Sequence, residues 1–150
     1  MSRLTLAQAS TIVDAALAKG RELNLAPMTV VVLDSGGHAV ALKREDKSGI
    51  LRVEIATGKA WGGLGLGAGS RMLADRVGTG PAGEAFVNAI AAASGGRVVP
   101  VAGGVLVRDG DGTVVGAVGV SGDLSDKDEA CALAGIEAAG LTADTGAKPS

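Results

Sequence analysis

MTVVVLDSGGHAVALKR, residues 28–44, is the stretch whose reading decides the fold. Val30 to Asp34 is a mostly β-branched apolar run, Ser35-Gly36-Gly37 is a turn, and His38 to Arg44 alternates apolar with other residues. Two strands joined through a glycine pair read as a hairpin, because a type I′ turn needs φ > 0 at both central residues. With Gly36 and Gly37 at the centre, Ser35 faces His38, Leu33 faces Val40 and Val31 faces Leu42. Alternation then puts these side chains on one face. His38, the only histidine, falls at one end of that apolar face.

Outward from the hairpin, the N-terminal side reads as a helix from Leu6 to Leu23. Thr5 and Gln8 form a capping box, and Leu6, Ala9, Ile12, Val13, Ala16 and Leu17 recur at helical spacing. On the C-terminal side, Ser48 is placed to cap a second helix from Ile50 to Leu66. Gly58, Gly62, Gly65 and Gly69 are spaced 4, 3 and 4 residues apart. They share a helical face, and each interior glycine costs roughly 0.5–1 kcal/mol against alanine. Such a stripe implies close approach of a neighbouring helix, a flat ligand or another subunit; the alternative is a helix that ends near Lys59 with loop beyond it.

Ser70 to Val77 and Pro81 to Ala93 read as two further helices, the latter with proline at its first position. Val98 to Val101 reads as a short, proline-interrupted edge strand. Val105–Arg108 and Val114–Val120 form a second hairpin about Asp109-Gly110-Asp111-Gly112. A last helix runs from Ser125 to Ala139, with Asp126, Asp128 and Glu129 in its first turn, where the dipole favours anions. The order α-ββ-ααα-βββ-α separates runs of strands from runs of helices. That predicts an α+β sandwich with a mostly antiparallel sheet. The expected domain covers residues 1–141, and Thr142 to Ser150 is expected to form a flexible tail.

The totals narrow the function. Of the 150 residues, 47% are apolar, yet Trp61 and Phe86 are the only aromatics, so stacking platforms for single-stranded nucleic acid are missing. A net charge of −2 offers neither a nucleic-acid footprint nor a polybasic membrane patch. The single cysteine, Cys131, leaves no internal disulfide and reads as a buried thiol. The N-terminus carries no signal-peptide apolar region, and no apolar run spans a bilayer, so the expected location is cytoplasmic.

Several motifs resolve as structural. Gly63-Leu-Gly-Leu-Gly-Ala68 matches a dinucleotide fingerprint, but helix rather than strand precedes it. Asp109 to Val120 opens like a calcium loop and lacks its glycine and its final glutamate. Gly119 to Asp123 lacks the last glycine of a nucleophile elbow. Asp123, Asp126, Asp128 and Glu129 resemble a metal site, but helix capping explains three of them and no histidine lies nearby.

VVVLDSGGHAVALKRED, VEIATGKAWG, VVPVAGGVLVRDGDGTVVGAVGVSG and SDKDEA, in this order and spacing, resemble the GlcG/HbpS-like heme-binding family over Leu4 to Leu141. The resemblance implies a profilin-like or PAS-like sandwich of about five strands. It also implies self-association into homo-oligomers, octamers among them, and a heme or other small-molecule ligand. His38 is then the axial iron ligand, since neutral imidazole is the common donor. Arg44, Arg52 and Lys59 are the propionate partners. Gly103 and Gly104 match the family's paired glycines and would let backbone approach a flat ligand. One histidine gives one imidazole per chain, so the sixth position falls to water, to Met28 or Met72, or to a neighbouring subunit. The scarcity of aromatics points to a surface-exposed or inter-subunit heme. The rival reading is a catabolic-operon enzyme: His38 as general base, Asp34 or Glu54 orienting it, and Lys59 or Arg52 holding a substrate carboxylate.

Overall fold

The computed structural model describes residues 3–148. Helix α1 (Leu6–Glu22) begins at the expected capping box: the Gln8 amide donates to Thr5 Oγ1 at 3.1 Å, and the Thr5 amide donates to Gln8 Oε1 at 3.0 Å. Strands β1 (Thr29–Asp34) and β2 (Ala39–Arg44) follow as an antiparallel pair. Helices α2 (Arg52–Leu66), α3 (Arg71–Val77) and α4 (Pro81–Ala93) come next. Strands β3 (Gly104–Arg108) and β4 (Val114–Ser121), helix α5 (Ser125–Ala138) and strand β5 (Thr142–Asp144) complete the chain.

The sheet order is β2-β1-β4-β3-β5, with every pairing antiparallel. β1 and β4 are central, which is why both read as nearly continuous apolar runs. Val30 and Val32 face a layer made by α1 and α5, where Ile12, Val13, Cys131 and Ile136 are buried. Val31 and Leu33 face α2 through Ala56 and Ala60. A smaller core of Leu73, Val87 and Val98 joins α3 and α4 to the α2 side. The α+β antiparallel sandwich expected from the sequence is the observed fold.

Three local expectations are corrected. Val98–Val101 is not a strand. It lies across α2, where the Val99 amide meets the Gly58 carbonyl at 3.4 Å and Val98 sits against Gly62. The chain from Thr142 is not all loose tail: β5 pairs with β3, and Asp144 holds Arg108 at 2.8 Å. The last expected tail residues, 149–150, lie outside the described residues. Ser48 does not cap α2; its hydroxyl is 2.9 Å from that of Thr29, and Leu51 occupies the N-cap without a side-chain bond.

The glycine stripe also separates into parts. A Cβ at Gly58 would run into the Arg97 carbonyl, and one at Gly62 would meet Val98 Cγ1 at 3.1 Å. At Gly65 it would meet nothing within 4 Å. Gly67 ends the helix in the left-handed region (φ 77°), so Gly69 stands outside it, against the backbone of Thr145.

Candidate functional site

The first hairpin closes on three residues rather than two. The Asp34 amide donates to the His38 carbonyl at 2.9 Å, the Gly37 amide donates to the Asp34 carbonyl at 3.0 Å, and Gly37 has φ 84°. This is a turn ending in a left-handed glycine bulge, which needs one positive φ and not two. The Asp34 carboxylate organises it, accepting from the amides of Gly36 at 2.9 Å and His38 at 3.0 Å. Those bonds, the one from His38 first, hold its carboxyl below the ordinary aspartate range.

Register then shifts again: Val32 pairs with Ala41 but Leu33 with Ala39, so Val40 is the extra residue of a β-bulge. Val40 and Ala41 both pack toward the α1–α5 layer. Leu33 therefore does not face Val40, and the His38 side chain is carried to the α1–α5 side with Leu4, Val40 and Val115, while the turn itself touches α2: a Cβ on Gly37 would meet Trp61 Nε1 at 3.3 Å. Its side chain is 82% exposed, with Nδ1 3.4 Å from Asp34 Oδ1. An open groove of about 470 Å³ lies beside it, walled by Arg3, Leu4, Val40 and Val115.

The expected cations stand at the opposite end of the sheet. Thr29 is paired with Arg44 on one side and Ser121 on the other, five residues and so roughly 17 Å along β1 from Asp34. There Arg44 donates to the Ser48 carbonyl at 2.7 Å, and Arg52 to Ser121 Oγ at 3.1 Å. Lys59 is 2% exposed, donating to the Val120 carbonyl at 2.9 Å and to Asp128 Oδ2 at 3.1 Å. Burial lowers the Lys59 ammonium from the usual lysine range and raises the Asp128 carboxyl, each partly offset by its partner. Gly103 and Gly104 sit under this lysine: a Cβ on Gly104 would strike the Lys59 carbonyl. The close approach those glycines permit is that of α2 itself.

One chain thus brings Asp34 to His38 but does not bring Arg44, Arg52, Lys59, Gly103 or Gly104 to it. Glu54 is exposed on α2, on the other side of the sheet. Met28 is fully buried beside Gly122, and Met72 packs in the α3–α4 core. Cys131 is buried, its thiol pushed up to about 11 by desolvation.

Sequence reasoning missed the Lys59–Asp128 pair, having read Asp128 as a cap. Its signal was present: Asp128 lies in line with Ala132 and Gly135 on the buried face of α5, and Lys59 lies in line with Ala56, Ala60 and Gly63 on α2. A charge inside an apolar stripe implies a buried partner. The Arg97 guanidinium, 3.9 Å over the Trp61 ring, was missed as well.

The architecture is that of an open α+β sandwich with shallow clefts flanking a hairpin tip that carries an imidazole. The chain belongs to the HbpS-like family, whose model, haem degrading protein HbpS-like, matches residues 4–137. It is 30% identical over 137 residues to an uncharacterised 15.0 kDa protein of Citrobacter freundii from the dhaT–dhaS intergenic region, covering 91% of this chain and 92% of that one. Among solved structures it is similar in fold to a PduOC:heme complex, with a TM-score of 0.82, 23% identity and coverage of 94% and 98% of the two chains. It is also similar to HbpS, with a TM-score of 0.75, 27% identity and coverage of 91% and 90%.

Proposed function

We propose that this protein is a heme-binding accessory or redox-sensing protein that holds heme at the tip of the β1–β2 hairpin, with His38 as axial ligand. The observation that carries this reading is the exposed imidazole with its Nδ1 turned to Asp34. With Nδ1 3.4 Å from Asp34 Oδ1, the Nε2 edge is the one left to face a ligand as the donor. The residues beside it fit a peripherally bound tetrapyrrole: Leu4, Val40 and Val115 are apolar, and Arg3 supplies a cation for a propionate. Heme bound there would supply a redox-active iron, which His38 would hold.

Arg44 and Arg52 reach such a ligand only from a second subunit, so the reading includes self-association into a homo-oligomer. Lys59 is committed to Asp128 and is not assigned to the ligand. Among the described residues no helix is long and apolar enough to cross a membrane; the cytoplasmic location is part of this proposal. The rival enzyme reading keeps the His38–Asp34 pair as base and orienting group. The burial of Lys59 on Asp128 and the position of Arg52 beside Ser121, at the far end of the sheet, leave it without the cation it assigns to a substrate carboxylate.

Hemin titrated into the purified chain is expected to give a saturable Soret shift approaching one heme per chain. Asp34→Asn keeps an acceptor for the turn amides and removes the charge behind the imidazole. It is expected to weaken hemin binding by about tenfold, the lower end for a ligand's supporting carboxylate. His38→Ala is expected to abolish the shift at the same protein concentration. An unchanged Soret shift in His38→Ala would overturn the assignment.

A further inference from the structure

On the α2 side of the sheet a second cleft, about 480 Å³, opens between the start of α2 and the segment that crosses it. Leu51, Ile55 and Val99 wall it, Trp61 closes one end, and Arg97 and Glu54 stand on its rim. The volume suits a small organic ligand. Its mouth is costly in water: Leu51 is 63% exposed and its neighbour Ile50 is 87% exposed.

Arg97 gives the cleft its polarity. The guanidinium is stacked on the indole, and among the described residues it has no carboxylate partner. Arg21, Arg71 and Arg108, by contrast, are each paired with one. A stacked guanidinium keeps its donor edges free, pre-oriented for a two-point contact with a carboxylate. Glu54 likewise makes no ion pair among the described residues. Its negative charge on the same rim disfavours a second anionic group.

We propose that this cleft binds a flat, apolar monocarboxylate, its body against Trp61 and the apolar walls and its carboxylate on Arg97. The cleft shares no lining residue with the groove beside His38, although Trp61 also touches the turn at Gly37. It selects against dianions, a class that includes heme with its two propionates.

Trp61 is the only tryptophan, so a ¹⁵N-labelled full chain has one indole N–H resonance. Titration with 2-naphthoate is expected to shift it saturably, and neutral 2-naphthylmethanol is expected to bind about tenfold more weakly, as for loss of a charge-assisted hydrogen bond. Arg97→Gln is expected to bring naphthoate down to the level of the alcohol, with the rest of the spectrum reporting an intact fold. Glu54→Gln is expected to improve binding of 2,6-naphthalenedicarboxylate more than that of naphthoate. His38→Ala should leave naphthoate binding intact, which separates failure here from failure of the heme reading. Overturning results are an indole resonance that does not saturate, an alcohol that binds as well as the acid, or an Arg97→Gln variant unchanged for naphthoate. An indole inaccessible because a second copy covers the cleft would overturn it equally.

Discussion

Lys59→Met is expected to destabilise the protein by about 3–5 kcal/mol, the cost of leaving a buried charge without its partner. The substitution strips the counter-ion from Asp128, which is 1% exposed and keeps only backbone donors such as the Asp123 amide at 2.9 Å. Asp128→Asn is expected to cost a similar amount by stranding the ammonium. The double variant Lys59→Met/Asp128→Asn is expected to recover most of the loss, because a neutral pair needs no counter-charge and Asn keeps an acceptor for the Asp123 amide. With a urea slope of roughly 2 kcal/mol/M, a loss of about 4 kcal/mol moves the unfolding midpoint down by about 2 M. Single variants within about 1 kcal/mol of the parent, on a slope of this order, would mean that the pair is open to water and holds nothing together. The pair spans 69 residues and ties α2 to the start of α5 through the sheet. Its loss should therefore loosen the whole Thr29–Ser121 end.

Gly119→Ala carries the second-largest effect. Gly119 and Gly104 are register partners on β4 and β3, and α2 lies directly on both. A Cβ on Gly119 would strike the Ala56 carbonyl, and one on Gly104 the Lys59 carbonyl. Backbone stands on each side of these contacts and cannot turn away as a side chain would, so overpacking is expected to cost about 3 kcal/mol. Gly65→Ala is the internal control. Nothing lies within 4 Å of its Cβ, and it is an exposed residue inside α2, so the same chemical change should stabilise by about 0.5–1 kcal/mol. Thermal unfolding of the two variants should move in opposite directions; shifts of the same sign would contradict the packing described for α2.

These two substitutions also mark what the chain discloses on reading. Features set by near neighbours were legible. The capping box of α1 follows from Thr5 and Gln8, and the two-sided burial of β1 follows from its unbroken valines. The family blocks fixed the sandwich. Features set across long separations were not. Val98–Val101 has the composition of an edge strand, but its apolar side chains are satisfied equally by lying on α2, where Gly58 and Gly62 make room. Thr142–Asp144 is short and polar and reads as tail. It becomes a strand only because β3 offers an edge and Arg108 offers a charge.

At the candidate site, the position of His38 was legible but its side of the sheet was not. Ser35-Gly36-Gly37 admits either a two-residue or a three-residue closure. The choice falls to Gly37, which alone takes a positive φ. With the bulge at Val40, that choice decides which face the imidazole meets. The family resemblance groups Arg44, Arg52 and Lys59 with His38; in the fold Arg44 stands beside Thr29, roughly 17 Å of strand from the hairpin tip.

The measurement that bears most directly on ligand binding at the hairpin tip uses the chain's single histidine against the backbone amides of the two clefts. In a ¹⁵N-labelled protein, the diamagnetic gallium protoporphyrin should move the His38 imidazole resonances and the amides of Leu4, Val40 and Val115 strongly through its ring current and leave the amides of Leu51, Ile55 and Gly96 nearly in place. A stationary imidazole beside shifted Leu51, Ile55 and Gly96 amides would contradict the assignment and place the tetrapyrrole in the cleft on the α2 side of the sheet.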